Sequence, residues 1–260
     1  MLYSEVNGQQ VTQINITDRA FAYGDGLFTT AKVEHGKVVF INEHLQRLLK
    51  GCEQLKLPQP DIKAIKIKIT KLALIYPEAV LKVVVTAGQG GRGYSRQGTG
   101  ELTVVISLFQ FPNHYHQWQQ QGIILGISKQ RLGINPMLSG IKHLNRLEQV
   151  LIRAELDERR EDDLVVLNIN EQVIETSCAN IYWLKQGVLY TTDLAYSGVD
   201  GIMRQHLLKV YPQTKIVKAN IDSITSADNI FICNTVMGIV PVREFNGNTL
   251  PINTLGDVFK

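Results

Sequence analysis

Lys142 and Glu175 are the two residues of this 260-residue chain whose types and spacing most directly suggest chemistry. A lysine amine can form a Schiff base with a carbonyl cofactor, and a carboxylate can keep a pyridine nitrogen protonated. The pair therefore suggests an aldehyde cofactor that contains a pyridine ring. Each residue is weak evidence when taken alone, because most lysines and glutamates are solvated surface groups.

Three further segments could bind the phosphate group of such a cofactor. SGVDGIMRQHLL predicts a glycine turn that enters a helix, so the amides of Ile202 and Met203 would point at an anion. Arg47, on an earlier helix, could make a two-pronged contact with phosphate oxygens. The strand end ICNTVMG offers Asn234 and Thr235. An ordinary helix start, an exposed arginine and a plain turn are the alternatives, but together the segments indicate pyridoxal 5'-phosphate (PLP).

The loop AGQGGRGYSRQG and the threonines after YGDG are candidates for substrate contacts. The loop lacks a following GKS or GKT and leads into a strand, so it is neither a Walker loop nor a dinucleotide fingerprint. Arg92 and Tyr94 suit an anionic substrate, and the alternative is a long hairpin tip. Thr29 and Thr30 are neighbours on a strand, so only one of them can face a given pocket.

Composition excludes several classes of protein. Hydrophobic residues make up 44% and charged residues 20%, and the net charge of +3 is too small to favour nucleic-acid binding. Three widely spaced cysteines match no metal-binding pattern and are expected to be reduced, as in the cytoplasm. The N-terminus shows no signal peptide, and no apolar stretch is long enough to span a membrane.

The order of strand-like and helix-like segments predicts an α+β or mixed α/β fold in two domains. A smaller N-terminal α+β domain is expected over residues 1–109. The polar segment 110–120 is expected to be a linker, and a larger C-terminal α/β domain should cover 121–260.

Two local features carry detailed expectations. The dipeptide Asn7-Gly8 predicts a hairpin turn between strands at Leu2–Val6 and Gln10–Asn15. Asn42 is expected to cap the helix that carries Arg47.

Taken together, these segments resemble the fold-type IV PLP enzymes, which include D-amino-acid and branched-chain transaminases and aminodeoxychorismate lyases. The resemblance spans nearly the whole chain through DRAFAYGDGLFTT, INEHLQRL, IETSCANIYW, GVDGIMRQ and ICNTVMGIVPV. Within the group, GGRGYS and RLGINPMLSGIKHLNRLEQVLIR are closest to the lyases. The resemblance implies a D-amino-acid aminotransferase-like fold, PLP at the domain interface, a homodimer and a small-molecule substrate.

The resemblance also implies a role for each candidate residue. Lys142 would carry the cofactor and move protons, and Thr30 would face the substrate. The remaining cofactor contacts would come from Glu175 at the pyridine nitrogen and, at the phosphate, from Arg47, Ile202, Met203, Asn234 and Thr235. The substrate carboxylates would be bound by Arg92, Arg146 and Tyr94. No metal is implied.

The implied activity is a lyase reaction of folate biosynthesis that converts 4-amino-4-deoxychorismate to 4-aminobenzoate and pyruvate. Branched-chain transaminases carry a tyrosine shortly after the lysine, whereas this chain has HLNRL at residues 143–147. A D-amino-acid or branched-chain aminotransferase of the same fold is the first alternative. A non-catalytic PLP-binding protein is the second.

Overall fold

The computed structural model describes residues 1–252, and the expected C-terminal domain extends beyond them, since 253–260 lie outside the described residues. The chain forms two compact units. The first comprises Met1–Pro112 and Lys142–Asn145, and the second comprises Asn113–Ile141 and the residues from Arg146 onward. No helix within residues 1–252 is long and apolar enough to cross a membrane.

The first unit is a five-stranded antiparallel sheet with helices on one face. Its elements are β1 (Tyr3–Val6), α1 (Arg19–Tyr23), β2 (Gly26–Glu34), β3 (Lys37–Val38), α2 (Ile41–Gln54), α3 (Ile62–Ile75), β4 (Ala79–Thr86) and β5 (Thr103–Phe109). The strand order is β1-β5-β4-β2-β3. Alternate residues of the strands pack with the apolar stripes of α2 and α3 in one buried cluster.

The second unit is built on a nine-stranded mixed sheet. Its elements are α4 (His114–Gln121), β6 (Ile123–Leu132), α5 (Leu147–Asp157), β7 (Asp163–Asn168), β8 (Val173–Thr176), β9 (Asn180–Lys185), β10 (Val188–Thr192), α6 (Ile202–Val210), β11 (Lys215–Val217), α7 (Ile221–Thr225), β12 (Asn229–Asn234), β13 (Gly238–Phe245) and β14 (Asn248–Thr249). The order is β11-β10-β9-β12-β13-β6-β7-β8, and β14 pairs with β13.

Several local expectations need correction. The turn at Asn7-Gly8 forms with both residues at positive φ, but residues 10–15 are not a strand. Instead β1 pairs with β5, from Tyr3 opposite Leu108 to Val6 opposite Val105. The distant strand β5 thus takes the place of the expected second strand of the hairpin. Short-range sequence signals cannot reveal such a long-range pairing.

Two other elements differ from their expected form. The cap of α2 is Phe40, in the left-handed conformation, and Asn42 lies inside the first turn, where its Oδ1 accepts a hydrogen bond from Lys66. The segment 110–120, expected as a linker, contains most of α4. This helix contacts β13, and the Gln119 side chain donates to the carbonyl of Met237 at 2.7 Å.

The glycines of the YGDG motif allow residues 142–145 to approach the start of β2. Gly24 has φ +60°, and a Cβ there would lie 2.8 Å from Oδ1 of Asn145. A Cβ on Gly26 would lie 2.4 Å from the carbonyl oxygen of Val85 and 2.9 Å from Cδ1 of Leu144. Close packing therefore disfavours a side chain at either glycine, and most strongly at Gly26, whose neighbour is backbone.

We expect Gly26→Ala to destabilise the chain by about 1–3 kcal/mol, because the added methyl group must displace backbone that is already hydrogen-bonded. Urea unfolding monitored by circular dichroism would measure the change. Gly100→Ala is the matched control, since its Cβ would meet nothing closer than 3.9 Å. Equal unfolding midpoints for Gly26→Ala and the wild type would contradict this account.

Candidate active site

Lys142 is held beside β2 by backbone hydrogen bonds. The amide of Phe28 donates to the carbonyl of Lys142 at 2.9 Å, and the amide of Leu144 donates to that of Gly26 at 3.0 Å. This antiparallel pairing, centred on Leu27 opposite His143, sets Lys142 opposite Phe28. The Lys142 ammonium lies 4.8 Å from the centroid of the Phe28 ring, in a cation–π contact.

The two threonines of β2 face opposite sides of the sheet. Thr29 is buried on the helix-covered face, where its hydroxyl lies 2.6 Å from Nδ1 of His44. Thr30 is half-buried on the other face, which it shares with Phe28 two residues earlier. Because Lys142 contacts Phe28, the geometry favours Thr30 over Thr29 as the threonine on the side of the lysine.

Lys82 also lies on this face, although no sequence pattern singled it out. It is opposite Thr30 in the pairing of β2 with β4, and its ammonium is 4.9 Å from the centroid of the Phe28 ring. Lys142 and Lys82 therefore both contact Phe28. A single charged residue in the otherwise apolar strand AVLKVVV was the available signal, but its meaning depends on the register with β2.

His44 is a buried histidine on α2 in the first unit. Burial, followed by the positive charges of Arg47 and Lys142, lowers the pKa of His44 to about 3. The histidine is therefore neutral at ordinary pH, and both cations are close enough to act on it. Its Nε2 has no hydrogen-bond partner among the described residues. The charges of Arg47 and Lys142 thus both act on His44, a residue that sequence reasoning had missed.

Glu175 is a buried carboxylate on β8 in the second unit. Its Oε2 accepts a hydrogen bond from the amide of Val199 at 2.9 Å. Burial lowers the pKa of Arg146. The negative charges of Glu175 and Glu148 act in the opposite direction and raise it. The Arg146 guanidinium also donates to the carbonyl of Ile141 at 2.6 Å. Glu175 and Arg146 are therefore neighbours with opposite charge.

The turn before α6 is anchored to Glu175 and to Asn180. The Asn180 side chain donates to the carbonyl of Val199 at 2.9 Å, and a Cβ on Gly201 would lie only 2.0 Å from Asn180 Oδ1. Gly201 is the N-cap of α6 and supplies no side-chain cap. The amides of Ile202 and Met203 therefore belong to a helix start that a phosphate can cap.

The turn at Asn234 is shaped by its own side chain. Asn234 Oδ1 accepts hydrogen bonds from the amides of Val236 and Met237, both at 2.9 Å. Its Nδ2 donates to the carbonyl of Cys178 at 3.2 Å, next to the Glu175 segment. Thr235 is buried within this turn. In the second unit, hydrogen bonds thus connect the Glu175 segment both to the turn before α6 and to the Asn234 turn.

The expected substrate residues Arg92 and Tyr94 lie on an exposed loop. The Tyr94 side chain is 89% exposed, and its ring centroid is 5.5 Å from that of Tyr23. The loop backbone, in contrast, is held by buried arginine hydrogen bonds.

Within residues 1–252, no group of His, Cys, Asp or Glu side chains is arranged to hold a metal ion.

Comparison with known proteins defines the family. The family profile described as amino-transferase class IV matches residues 26–245. The chain is 38% identical to an aminodeoxychorismate lyase of Vibrio harveyi, over 96% of this chain and 93% of the relative. It is 27% identical to a putative branched-chain-amino-acid aminotransferase of Methanocaldococcus jannaschii, over 98% and 92% of the two chains.

A solved structure gives the same result. The crystal structure of 4-amino-4-deoxychorismate lyase from Pseudomonas aeruginosa superposes with a TM-score of 0.91 and 33% identity, covering 98% of this chain and 97% of that one. The chain belongs to the class IV aminotransferase family. The expected family and the expected mixed α/β, fold-type IV architecture are therefore confirmed.

The low pKa of His44 predicts a pH dependence of stability. The folded-state pKa of about 3 lies below the ordinary 6.5, so the unfolded chain binds the proton more readily as pH falls. Between about pH 8 and about pH 5, this should remove roughly 2 kcal/mol of stability. His44→Asn retains a polar group near the position of Nδ1 but does not titrate. Over the same pH interval, its free energy of unfolding should therefore fall by roughly 2 kcal/mol less than that of the wild type. Urea unfolding of both proteins measures the difference, and identical pH dependences would refute the assignment.

Proposed function

We propose that this chain is a PLP-dependent lyase that converts 4-amino-4-deoxychorismate to 4-aminobenzoate and pyruvate. The observation that carries the proposal is the shared face of Lys142, Phe28 and Thr30, which sets a proton-transferring amine and a hydroxyl on one side of β2. Similarity over nearly the full length of two lyases supports the same reaction.

The residues fit PLP by their chemistry. Glu175 is a buried carboxylate, suited to hold a proton on the pyridine nitrogen. The helix start at Gly201 has no side-chain cap, which suits a phosphate. We assign Lys142 as the covalent attachment point and Glu175 as the pyridine partner. The phosphate ligands would be Arg47, the amides of Ile202 and Met203, and the turn of Asn234 and Thr235.

Bound PLP would supply an electron sink that acidifies the C–H bond beside the substrate amine. The Lys142 amine, once released, would take that proton. Cleavage of the C–O bond to the enolpyruvyl group at the neighbouring carbon would make the ring aromatic, and the released enolpyruvate would take up a proton to become pyruvate. Thr30 would orient the substrate or the transferred proton through its hydroxyl. Since aromatisation supplies driving force, the main task of the protein is alignment.

The substrate carries two carboxylates, so cationic contacts are needed. We propose Arg92 and Arg146 as these contacts, with the Tyr94 hydroxyl as an additional hydrogen-bond donor. Lys82 is a further candidate, because it lies on the same face as Thr30. Because the charge of Glu175 acts on Arg146, Arg146 would bind a substrate carboxylate close to the cofactor.

The test is release of pyruvate in the absence of any amino acceptor. The purified chain should show the visible absorbance of bound PLP and should form pyruvate and 4-aminobenzoate in equal amounts. An aminotransferase would need a 2-oxo acid for continued turnover. A PLP-binding protein without activity would be coloured but would form no product. Either of those outcomes would reject the lyase.

Substitutions then test the residue roles in the same assay. Lys142→Ala should lower kcat by about 10⁴-fold, whereas Lys129→Ala, an exposed lysine on β6, should have no effect. Thr30→Val should lower kcat by about 10²-fold, and Thr30→Ser should retain most of it because the hydroxyl remains. Wild-type turnover by Lys142→Ala would contradict the proposed base.

We also propose a homodimer in the cytoplasm. Leu147, Val150 and Leu151 form an exposed apolar row along α5 at helical spacing, which suits a subunit contact. Sedimentation equilibrium should give twice the chain mass of 29.2 kDa, and a concentration-independent monomer would reject the dimer. The cytoplasmic location stays a prediction that cell fractionation would test.

A further inference from the structure

The carboxylate of Asp25 joins two arginines in the first unit. Its Oδ2 accepts hydrogen bonds from Nε of Arg19 at 2.8 Å and from Nε of Arg96 at 2.9 Å. Its Oδ1 accepts a second bond from Nη2 of Arg96, so the pair with Arg96 is two-pronged. Burial alone would raise the pKa of Asp25, but hydrogen bonds from Arg96 and Arg19 hold it below its usual value. The carboxylate is therefore ionised at neutral pH.

Arg19 uses its remaining nitrogens to hold the glycine-rich loop. Its Nη1 donates to the carbonyls of Gly93 and Ser95, both at 3.1 Å, and its Nη2 donates to that of Tyr94 at 3.2 Å. The Arg19 side chain is only 4% exposed. Three consecutive loop carbonyls thus accept hydrogen bonds from the two Nη atoms of one buried guanidinium, while its Nε donates to Asp25.

Arg96 connects the same loop to the end of α2. Its Nη1 donates to the carbonyl of Leu55 at 2.7 Å and to that of Lys56 at 3.3 Å. A cation at this position also suits the negative end of the helix. The loop is tightly packed against Arg19 as well, since a Cβ on Gly91 would lie 2.9 Å from Nη1 of Arg19.

We propose that Asp25 is a positioning residue that orders the loop over residues 88–100 and so presents Arg92 and Tyr94 to the substrate. The inference rests on the proposed function, because it takes Arg92 and Tyr94 as substrate contacts. Neither of their side chains is fixed by burial, so the conformation of the loop backbone decides where they are placed. A backbone ordered in advance lowers the entropy lost when substrate binds.

Asp25→Asn keeps the size of the side chain but removes its charge. The amide cannot accept both arginines with full strength, and two guanidinium groups then face each other without a counter-charge. The loop should become mobile on the time scale of proteolysis. Glu161→Gln is the matched control, because Glu161 makes a two-pronged pair with Arg159 in the second unit, with Oε1 at 2.8 Å and Oε2 at 3.3 Å from its nitrogens.

The first measurement is tryptic cleavage after Arg92 in the full chain, followed by mass spectrometry. Asp25→Asn should be cleaved there at least about tenfold faster than the wild type, and Glu161→Gln at the wild-type rate. Arg96→Gln, which removes the more exposed partner, should show the same direction of change and serves if Asp25→Asn does not fold. Unchanged cleavage in both variants would overturn the proposal.

The second measurement separates positioning from general destabilisation. Asp25→Asn should raise KM for 4-amino-4-deoxychorismate about tenfold with kcat within about threefold of the wild type. Combined with Arg92→Ala, it should add little to the loss caused by Arg92→Ala alone, because both act through the same contact. Full additivity, or a fall in kcat at constant KM, would show a merely structural role and reject the proposal.

The same experiment distinguishes this inference from the proposed function. A wild-type chain that binds PLP and releases no pyruvate would overturn the lyase assignment, and with it the substrate role of the loop. The cleavage comparison would then still support or overturn Asp25 as the residue that orders the loop.

Discussion

The backbone pairing between residues 142–144 and the start of β2 is the interaction on which the lysine side of the candidate site depends. A lysine on a free loop would sample many positions, whereas two backbone hydrogen bonds set Lys142 opposite Phe28. Because alternate residues of a strand face the same side, Thr30 lies on the same face of the sheet as Phe28. Gly24 and Gly26 permit the pairing, since a side chain at either position would overlap its neighbours.

The two units contain candidate residues of different charge. The first unit gathers cations, with Arg47 and Lys142 both acting on His44 and with Lys82 at the Phe28 ring. The neutral state of His44 is consistent with this, because a third positive charge would add to the repulsion. The second unit supplies the buried acid Glu175, a helix start and a turn.

Sequence patterns predicted the local structure around several of the candidate residues. Helix α2, the start of α6 and the turn at Asn234 follow from periodicity and turn chemistry within a few residues, although the predicted cap Asn42 was wrong. Lys82, His44 and the Asp25 network were missed because each depends on strand register or on contacts between distant segments. The hairpin at residues 10–15 was wrong for the same reason, since β1 found its partner in β5. The five-residue helix α1 is too short for periodicity to show.

The motif YGDG thus combines two different constraints within three residues. Its glycines act by sterics, and they allow the lysine segment to lie against β2. Its aspartate acts by charge, and it orients the two arginines that hold the glycine-rich loop and the end of α2. Asp25 directly precedes β2, the strand that carries Phe28 and Thr30. One short segment of the first unit therefore contributes both to the position of Lys142 and to the conformation of the glycine-rich loop.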